Sequence, residues 1–304
     1  ASLIILVGLG VYYGAYNQND ILGFASAIKV DESLSSTQLL LPREEAVTID
    51  SPESTIAYSK NGNTVMIDSN KEISQNVEDG VAQYNTVVVP YGKRSQVTLS
   101  DNTVVWLNSG SRLVYPARFS KEKREVYLEG EALFDVAHKE NHPFHVLTKD
   151  IEVKVLGTVF DLSAYKEDTV VNTVLERGSV EVVYNKSLFG SSTSKMVPGK
   201  LASYSLNDKS ISIQDVDTKD FTSWKDGYFV LKQKSLESIT KRLSRYYDVS
   251  IEFENPELAQ ETFSGYLDLR NSAMQVLSMI SETMEIEIVQ TTKGIKIRRK
   301  IASV

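Results

Sequence analysis

Short alternating runs of apolar and polar residues fill residues 39–216, and turn signals separate them without any segment of helical period. Asn61 and Gly62 stand between two such runs, STIAYS and NTVMID, and predict a hairpin. Ser100, Asp101 and Asn102 mark another turn. Many short strands at close spacing favour an antiparallel β-sandwich or a barrel-like module. The predicted fold class is therefore mainly β.

The pattern changes after residues 217–226, where two stretches place apolar residues at helical spacing. Ser272 and Gln275 form a capping-box signature at the start of the second stretch. With the strand-like runs around them, the predicted order is β-α-β-β-α-β-β, a small α+β domain. The helical positions are Leu236, Ile239, Leu243 and Tyr246 in the first stretch, and Ala273, Leu277, Ile280 and Met284 in the second.

Residues 1–16 carry no charge, and three of the 15 tyrosines of the chain lie at the end nearest the first acidic residue. An apolar run that ends in aromatic residues indicates the end of a transmembrane helix. We therefore predict a membrane segment over 1–18 and a polar linker over 19–38. Because the first methionine is Met66, we also expect the natural chain to begin before Ala1.

Charge and composition exclude several classes of function. The net charge is −7 and the isoelectric point about 5.2, which argues against a nucleic-acid partner. The sequence has no cysteine, so thiol catalysis, disulfides and cysteine-ligated metals are excluded. The P-loop, the G-x-S-x-G elbow and the H-E-x-x-H zinc motif are also absent from the sequence, and we predict that the protein is not an enzyme.

All three histidines, His138, His142 and His145, fall in one eight-residue window. Their spacing would align three imidazoles on one helical face, where a zinc site would place them. Pro143 opposes that arrangement, because it removes a backbone donor and moves His142 out of the helical region. The window predicts a hairpin of a scaffold, and neither a metal nor another cofactor is expected. A metal site is the alternative.

Two other groups of residues allow a functional interpretation. Glu129 and Glu131 flank Gly130 and could form a paired-acid site, but solvated acids at a strand edge are the favoured interpretation. Trp106 and Trp224 could stack on sugars, and packing in the core or at its rim is favoured. The C-terminal run at 298–300 is interpreted as a solvated edge that discourages strand addition.

Several motifs, taken in their order along the chain, resemble the periplasmic domain of FecR-type anti-sigma factors, the ferric-citrate regulator family. The residues around Trp224 and Gly227 resemble the C-terminal domain attached to such proteins in Bacteroidetes, which is similar to the short signalling modules of secretins and TonB-dependent receptors. The motifs are Asp-x-Thr-x-x-Trp-Leu-Asn at 101–108, Gly-Glu-Ala at 130–132, His-Pro-Phe at 142–144 and Leu-Gly-Thr-x-Phe at 156–160.

The resemblance implies a single-pass inner-membrane protein, anchored by residues 1–16 and periplasmic after about residue 18. A cytoplasmic segment, absent from this sequence, would hold an extracytoplasmic-function sigma factor. The periplasmic part would sense the signalling domain of a TonB-dependent outer-membrane transporter. The division predicted for that part is a β-rich domain over 39–216, a linker over 217–226 and an α+β signalling domain over 227–304.

The small domain offers sheet edges on which the transporter could dock by strand pairing with an apolar rim. The alternative function is a periplasmic or surface carbohydrate-binding β module without catalysis, suggested by the Trp, Tyr and Asn content of the β region. The residues predicted to bind the partner are Tyr228, Val230, Ser250, Glu252, Lys296 and Arg298.

Overall fold

The computed structural model of this 304-residue chain describes residues 21–28, 33–42, 46–78, 83–187 and 190–300. The predicted membrane segment, 1–18, lies outside these ranges, as does part of the predicted linker over 19–38. Within the described ranges, no helix combines the length and the apolar character needed to cross a bilayer.

The described residues between 37 and 215 form 18 strands that join into one curled sheet. The mainly β fold class is thereby confirmed. The first strands are β1 Thr37–Leu40, β2 Val47–Ile49, β3 Glu53–Tyr58, β4 Thr64–Ile67, β5 Lys71–Ser74, β6 Tyr84–Val89, β7 Arg94–Thr98, β8 Val104–Leu107 and β9 Ser111–Pro116. They are followed by β10 Arg124–Asp135, β11 Phe144–Leu147, β12 Ile151–Val155, β13 Val159–Ala164, β14 Val170–Arg177, β15 Val180–Ser187, β16 Gly190–Met196, β17 Lys200–Ser205 and β18 Ser210–Asp215.

The sheet has two halves that share β10. The first half runs β2-β1-β6-β9-β10-β11-β12-β15-β16 in space. The second half runs β5-β4-β3-β7-β8-β10-β13-β14-β17-β18. Apolar residues from both halves pack into one core, which makes the arrangement a sandwich. The hairpin predicted at Asn61 and Gly62 is confirmed as β3–β4.

Gly130 is the point at which β10 passes from one half to the other. Residues 124–129 pair with β9 and β11, whereas residues 130–135 pair with β8 and β13. The backbone turns there with a φ of +99°, a conformation that favours glycine. A Cβ at this position would lie 2.5 Å from Oγ of Ser111. The glycine of the Gly-Glu-Ala motif is therefore required by the crossing.

The hairpin predicted for the histidine window is wrong, although the strand, turn and strand are present. After β10 ends at Asp135 in the second half of the sheet, the chain turns at 140–142 and returns to the first half. There β11 pairs in parallel with the start of β10, with Phe144 opposite Arg124. Because β10 has crossed between the halves, the returning strand meets the beginning of β10 and must run in the same direction.

A short helix, α1 (Ile21–Ala27), lies on the outer surface of the first half. Ile21 and Ala25 are buried there against residues of β6, β9, β10 and β11. Phe24 contacts the ring of Tyr84, with 5.1 Å between the ring centres. One of the strands that contact α1, β10, continues into the other half of the sheet.

The C-terminal region has the predicted order of elements. Its two sheets are β19–β21 and β20–β23–β22, and the capping box of Ser272 with Gln275 is present. Met284 lies beyond the end of the second helix, contrary to the predicted helical stripe. The elements are β19 Tyr228–Ser235, α3 Leu236–Tyr247, β20 Ile251–Phe253, a 3-10 turn at Pro256–Gln260, β21 Thr262–Asp268, α4 Ala273–Ser281, β22 Ile286–Thr291 and β23 Gly294–Arg299.

The segment between the two regions is helical and packed. It contains α2 (Lys219–Thr222) and a 3-10 turn at Ser223–Asp226, and it lies against β19. Trp224 in its middle is only 1% exposed, and Gly227 at its end has a φ of +81°. The segment thus joins the sandwich to the C-terminal region through buried side chains.

Candidate functional site at the junction of the two regions

One apolar cluster contains residues of both regions. Trp106 on β8 and Leu133 on β10 pack with the residues that form the core of the C-terminal region. Around this cluster lie charged and hydrogen-bonding groups that join the two regions, and we call the whole contact the junction. Its polar members are Asn108, Glu131, Asp161, Tyr165, Glu167 and Asp168 from the sandwich, Trp224 from the connecting segment, and Arg242 and Arg245 from the C-terminal region.

Trp224 forms a buried hydrogen bond across the junction. Its indole Nε1–H donates to Oδ2 of Asp161 on β13, at 3.2 Å. Asp161 is itself 1% exposed, and burial, together with the nearby charge of Glu131, raises its pKa well above the usual range. A buried tryptophan needs a partner for its N–H, and the partner here belongs to the sandwich.

Arg245 on α3 makes a second connection. Its guanidinium binds the carboxylates of Glu167 and Asp168 at 2.5 and 2.7 Å and lies over the ring of Tyr165, 3.6 Å from its centre. Its backbone carbonyl accepts a hydrogen bond from the N–H of Gly92, at 3.0 Å. Planar guanidinium groups are suited to this combination of carboxylate binding and ring stacking.

Glu131 brings a partly buried carboxylate to the same place. Its Oε2 accepts from Nδ2 of Asn108 at 2.6 Å, and the hydroxyl of Tyr165 lies 3.5 Å away. Burial raises the pKa of Glu131, although the positive charge of Arg242 and the bond from Asn108 act against this. Burial likewise lowers the pKa of Arg242, whose guanidinium lies 3.9 Å from the ring centre of Phe229. The junction therefore brings acidic and basic side chains together where they are partly shielded from water.

Strand β10 connects the junction to α1. Arg112 on β9 donates to the carbonyl of Ala25 in α1 at 3.0 Å and to Oε2 of Glu129 at 3.1 Å. Glu129 and Glu131 belong to the same strand and lie on either side of the bend at Gly130. A continuous set of contacts thus leads from α1 to the C-terminal region.

The motif at 101–108 also builds a buried ion pair inside the sandwich. Arg124 is fully buried, and its Nη1 binds Oδ2 of Asp101 at 2.8 Å. The same guanidinium donates to the carbonyls of Ala137 and His142 in the connection around the histidines, and to that of Leu156 after β12. Asp101 in turn accepts from the N–H and the hydroxyl of Thr103. The motif therefore fixes the return connection from β10 to β11.

The histidines have separate surroundings. The side chain of His138 packs on Gly157, where a Cβ would lie 2.5 Å from it, and Nδ1 of His145 lies 2.6 Å from Oε1 of Glu152. Although Glu152 is partly buried, its bonds with His145 and Lys186 lower its pKa to about 2. Within the described part of the chain, no group of three or more His, Cys, Asp or Glu residues is placed to hold a metal ion.

The two acids and two tryptophans that the sequence analysis considered as candidate site residues contact other residues of the protein. Glu129 binds Arg112, whereas Glu131 lies in the junction. The expectation of a solvated edge is wrong for Glu131, because this part of β10 lies between β8 and β13 and the C-terminal region packs against it. Trp224 is buried, and Nζ of Lys225 lies 5.7 Å from the ring centre of Trp106. Both tryptophans contribute to packing at the junction, as the favoured interpretation predicted.

Of the predicted partner-binding residues, Tyr228 and Val230 lie on β19. The outer edge of that strand is covered, because the N–H of Val230 donates to Oγ of Ser223 in the preceding turn. The ring of Tyr228 stacks on that of Tyr266, 4.9 Å between centres, and Tyr266 is 57% exposed. Tyr228 therefore forms an aromatic surface with Tyr266, and Val230 offers no free strand edge.

The other four residues lie on the three-stranded sheet. Lys296 and Arg298 belong to β23, which is the central strand between β20 and β22. The expectation that the run at 298–300 forms an edge is wrong for this reason. Ser250 and Glu252 are exposed and lie at β20, an outer strand of this sheet. The structure thus brings Glu252 and Lys296 together in register, away from Tyr228 and Val230.

Sequence reasoning missed the charged residues of the junction. Arg245 lies 80 residues after Tyr165 and 84 after Asp161 along the chain, so spacing gives no indication that they meet. One signal was available in α3, where Arg242 follows Ile239 by three residues and so falls on the apolar face of the helix. A charge on that face indicates a buried partner from another element.

Two family models match the chain, one on each side of the junction. Residues 85–181 match the model described as FecR protein, and residues 228–297 match the model described as FecR, C-terminal. The first match includes Asn108, Glu131, Asp161, Tyr165 and Asp168, and the second includes Arg242 and Arg245. No curated protein matches the sequence significantly.

Two solved structures are also similar to the chain. Two crystal structures of a protein assigned as an anti-sigma factor from Parabacteroides distasonis ATCC 8503, at 1.65 and 2.50 Å resolution, are each 29% identical to the chain with a TM-score of 0.64. The similarity covers 71% of this chain and 99% of the other in one case, and 70% and 98% in the other. It therefore extends beyond either family match alone.

Proposed function

The chain belongs to the family of FecR-type anti-sigma factors, and we propose that it relays the state of a TonB-dependent outer-membrane transporter to an extracytoplasmic-function sigma factor. Members of this family are regulatory proteins. In the proposed arrangement residues 1–16 anchor the chain in the inner membrane and residues after about 18 lie in the periplasm. A cytoplasmic segment outside this sequence holds the sigma factor.

The observation that carries the proposal is the junction together with β10. A transporter that binds the C-terminal region acts on Arg245 and Trp224, which are bonded to the sandwich. The contacts then continue through Glu131 and Glu129 to Arg112 and α1. Packed elements and buried polar bonds of this kind transmit a displacement when the assembly has two arrangements. In this proposal the protein is a mechanical link.

The edge of β20 supports docking by strand addition. The carbonyl of Ser250 accepts from Ile295, and the N–H of Glu254 donates to Ile297, so the even-numbered residues of β20 use their peptide groups within the sheet. In a parallel pair, the peptide groups of the alternate residues point the other way. The N–H groups of Ile251 and Phe253 consequently face outward, where an extended segment of a partner could pair.

A pair of substitutions at Phe253 tests the docking step. Both Phe253→Pro and Phe253→Ala remove the ring from the apolar cluster, but only proline also removes the outward N–H. In cells that carry a reporter gene under the control of the cognate sigma factor, whose gene is expected beside that of this protein, Phe253→Pro should abolish the response to the transporter substrate. Phe253→Ala should retain it.

Two further measurements make the comparison conclusive. Circular dichroism and the amount of protein in the membrane fraction establish that both variants are folded and present. A full response from Phe253→Pro would contradict strand addition at β20. If deletion of the whole gene leaves sigma-dependent transcription unchanged, the proposed role as a relay is wrong.

A further inference from the structure

A surface beside α1 combines lysines with an exposed apolar side chain. Here Leu22 of α1 lines a cavity of about 260 Å³. Leu22 is 40% exposed, although Ile21 before it is fully buried in the sandwich. The turn between β11 and β12, the end of β15 and the turn between β17 and β18 supply the other walls, which include Lys149, Asp150, Lys186 and Lys209.

The charge of this surface is opposite to that of the whole protein. Three lysines and one aspartate line the cavity, whereas the chain carries a net charge of −7. Lys186 binds Glu152, but no ion pair engages Lys149 or Lys209 among the residues that the structure describes. Both are exposed, so their ammonium groups are available to an external anion.

The floor of the cavity is polar and ordered. The hydroxyl of Tyr204 donates to Oδ1 of Asn185, and Nδ2 of Asn185 donates to the carbonyl of Lys209, each at 2.8 Å. Asn185 and Lys209 both have positive φ angles, +52° in each case. These bonds hold the turn that carries Lys209 against the end of β15.

The position of the surface along the chain identifies its partner. Residues 1–16 are uncharged, and the five peptide units from Tyr16 to Ile21 can span no more than roughly 18 Å. Because Ile21 is packed on the sandwich, the cavity at Leu22 stays close to the point at which the proposed membrane segment leaves the bilayer. Lysines beside an exposed leucine suit the boundary between headgroups and acyl chains.

We propose that the rim formed by Leu22, Lys149, Lys186 and Lys209 rests on a bilayer surface that contains anionic phospholipids. Lys149 and Lys209 bind headgroup phosphates, and Leu22 enters the boundary of the acyl chains. The sandwich is thereby held in one orientation on the membrane, with α1 between the bilayer and β10. This inference rests on the membrane anchoring in the proposed function.

The test uses the whole chain in vesicles. Because the sequence has no cysteine, an environment-sensitive fluorophore can be attached at Asn207→Cys, in the turn beside Lys209, or at Thr292→Cys in the C-terminal region; both positions are exposed. Nitroxide-labelled lipids then report the proximity of each fluorophore to the bilayer. In vesicles of phosphatidylglycerol and phosphatidylethanolamine, we expect at least about twofold stronger quenching at position 207 than at position 292.

Uncharged lipid surfaces, high salt and removal of lysine charges provide the controls. The difference in quenching between positions 207 and 292 should disappear in phosphatidylcholine vesicles. It should also disappear at about 1 M salt, where the Debye length is about 3 Å. Lys149→Gln with Lys209→Gln should also remove it, whereas Lys293→Gln with Lys300→Gln, which removes the same charge elsewhere, should not.

Two results would overturn the inference in distinguishable ways. If the chain sediments with the vesicles and positions 207 and 292 are quenched equally, anchoring is correct and the proposed membrane-facing rim is wrong. If the chain does not sediment with the vesicles, the anchoring itself is wrong and the inference falls with it.

Discussion

The guanidinium of Arg245 lies 3.6 Å from the centre of the Tyr165 ring, although the two residues belong to different regions of the chain. The same guanidinium binds Glu167 and Asp168, two and three residues after Tyr165. A short segment of the sandwich thus holds the Arg245 side chain of α3 through one aromatic ring and two carboxylates. This contact joins the two parts that the two family models match.

Substitution of Gly130 should prevent β10 from crossing between the halves of the sheet. In Gly130→Ala the new Cβ lies 2.5 Å from Oγ and 2.6 Å from Cα of Ser111, and the positive φ is strained as well. We expect a loss of at least about 3 kcal/mol in the free energy of unfolding, measured by urea titration.

Gly199→Ala is the matched control for this prediction. Gly199 has a φ of +82°, but a Cβ there meets no atom within 4 Å, so only backbone strain of about 1 kcal/mol is expected. Equal losses for the two variants would show that the approach to Ser111 is unimportant.

Arg124→Lys should destabilise the sandwich while keeping the charge. Lysine cannot bind Asp101 and the carbonyls of Ala137, His142 and Leu156 at once, because it lacks the planar fork of donors. Since the pair with Asp101 is buried, we expect a loss of about 3 kcal/mol in the free energy of unfolding. Arg177→Lys, at an exposed pair with Asp135, should cost less than about 0.5 kcal/mol, and a similar small effect at Arg124 would contradict this role.

The sequence predicted the elements whose signals are local. Asn61 with Gly62 specifies a hairpin because its turn needs positive φ, and Ser272 with Gln275 caps α4 through bonds three residues apart. The crossing at Gly130 depends on Ser111, nineteen residues earlier in the sequence. No local pattern reports such an approach, so the parallel return of β11 was predicted as a hairpin.

The junction could not be predicted for the same physical reason. Charged residues are normally at the surface, and Glu131 on a strand of alternating polarity has the pattern of a solvated acid. Its burial follows from the packing of α3 and Trp224 against β8, β10 and β13. That packing depends on tertiary contacts that spacing along the chain does not reveal.

Glu152 should make the stability of the sandwich sensitive to acid. Its pKa in the folded protein is about 2, below the ordinary value of 4.5, so its ionised form stabilises the fold above about pH 4.5 and this contribution is lost as the pH falls toward about 2. In Glu152→Gln, urea titrations between these pH values should show a shallower loss of stability. Glu176→Gln, which changes an exposed carboxylate, should leave the pH dependence of stability unchanged. If Glu152→Gln shows the same pH dependence as the parent chain, Glu152 is not the source of the acid sensitivity.

Glu131→Gln should lower the pKa of Asp161. Burial and the charge of Glu131 together raise that pKa, and glutamine keeps an oxygen that can accept from Asn108 while it removes the charge. Carboxyl carbon NMR titration should show the Asp161 transition at lower pH in this variant. Glu129→Gln removes the neighbouring acid, which binds Arg112 instead, and should not move it. An unchanged Asp161 titration in Glu131→Gln would mean that the two acids do not interact.

The central claim is that the junction holds the sandwich and the C-terminal region as one body. Spin labels at Asn207→Cys and Thr292→Cys, one in each region, allow their separation to be measured by double electron–electron resonance. We predict one narrow distance distribution for the parent chain and a broad one for Arg245→Gln, because the contacts with Tyr165, Glu167 and Asp168 are lost. Arg298→Gln, which removes a surface pair with Glu287, should keep the narrow distribution. A parent distribution as broad as that of Arg245→Gln would contradict the claim.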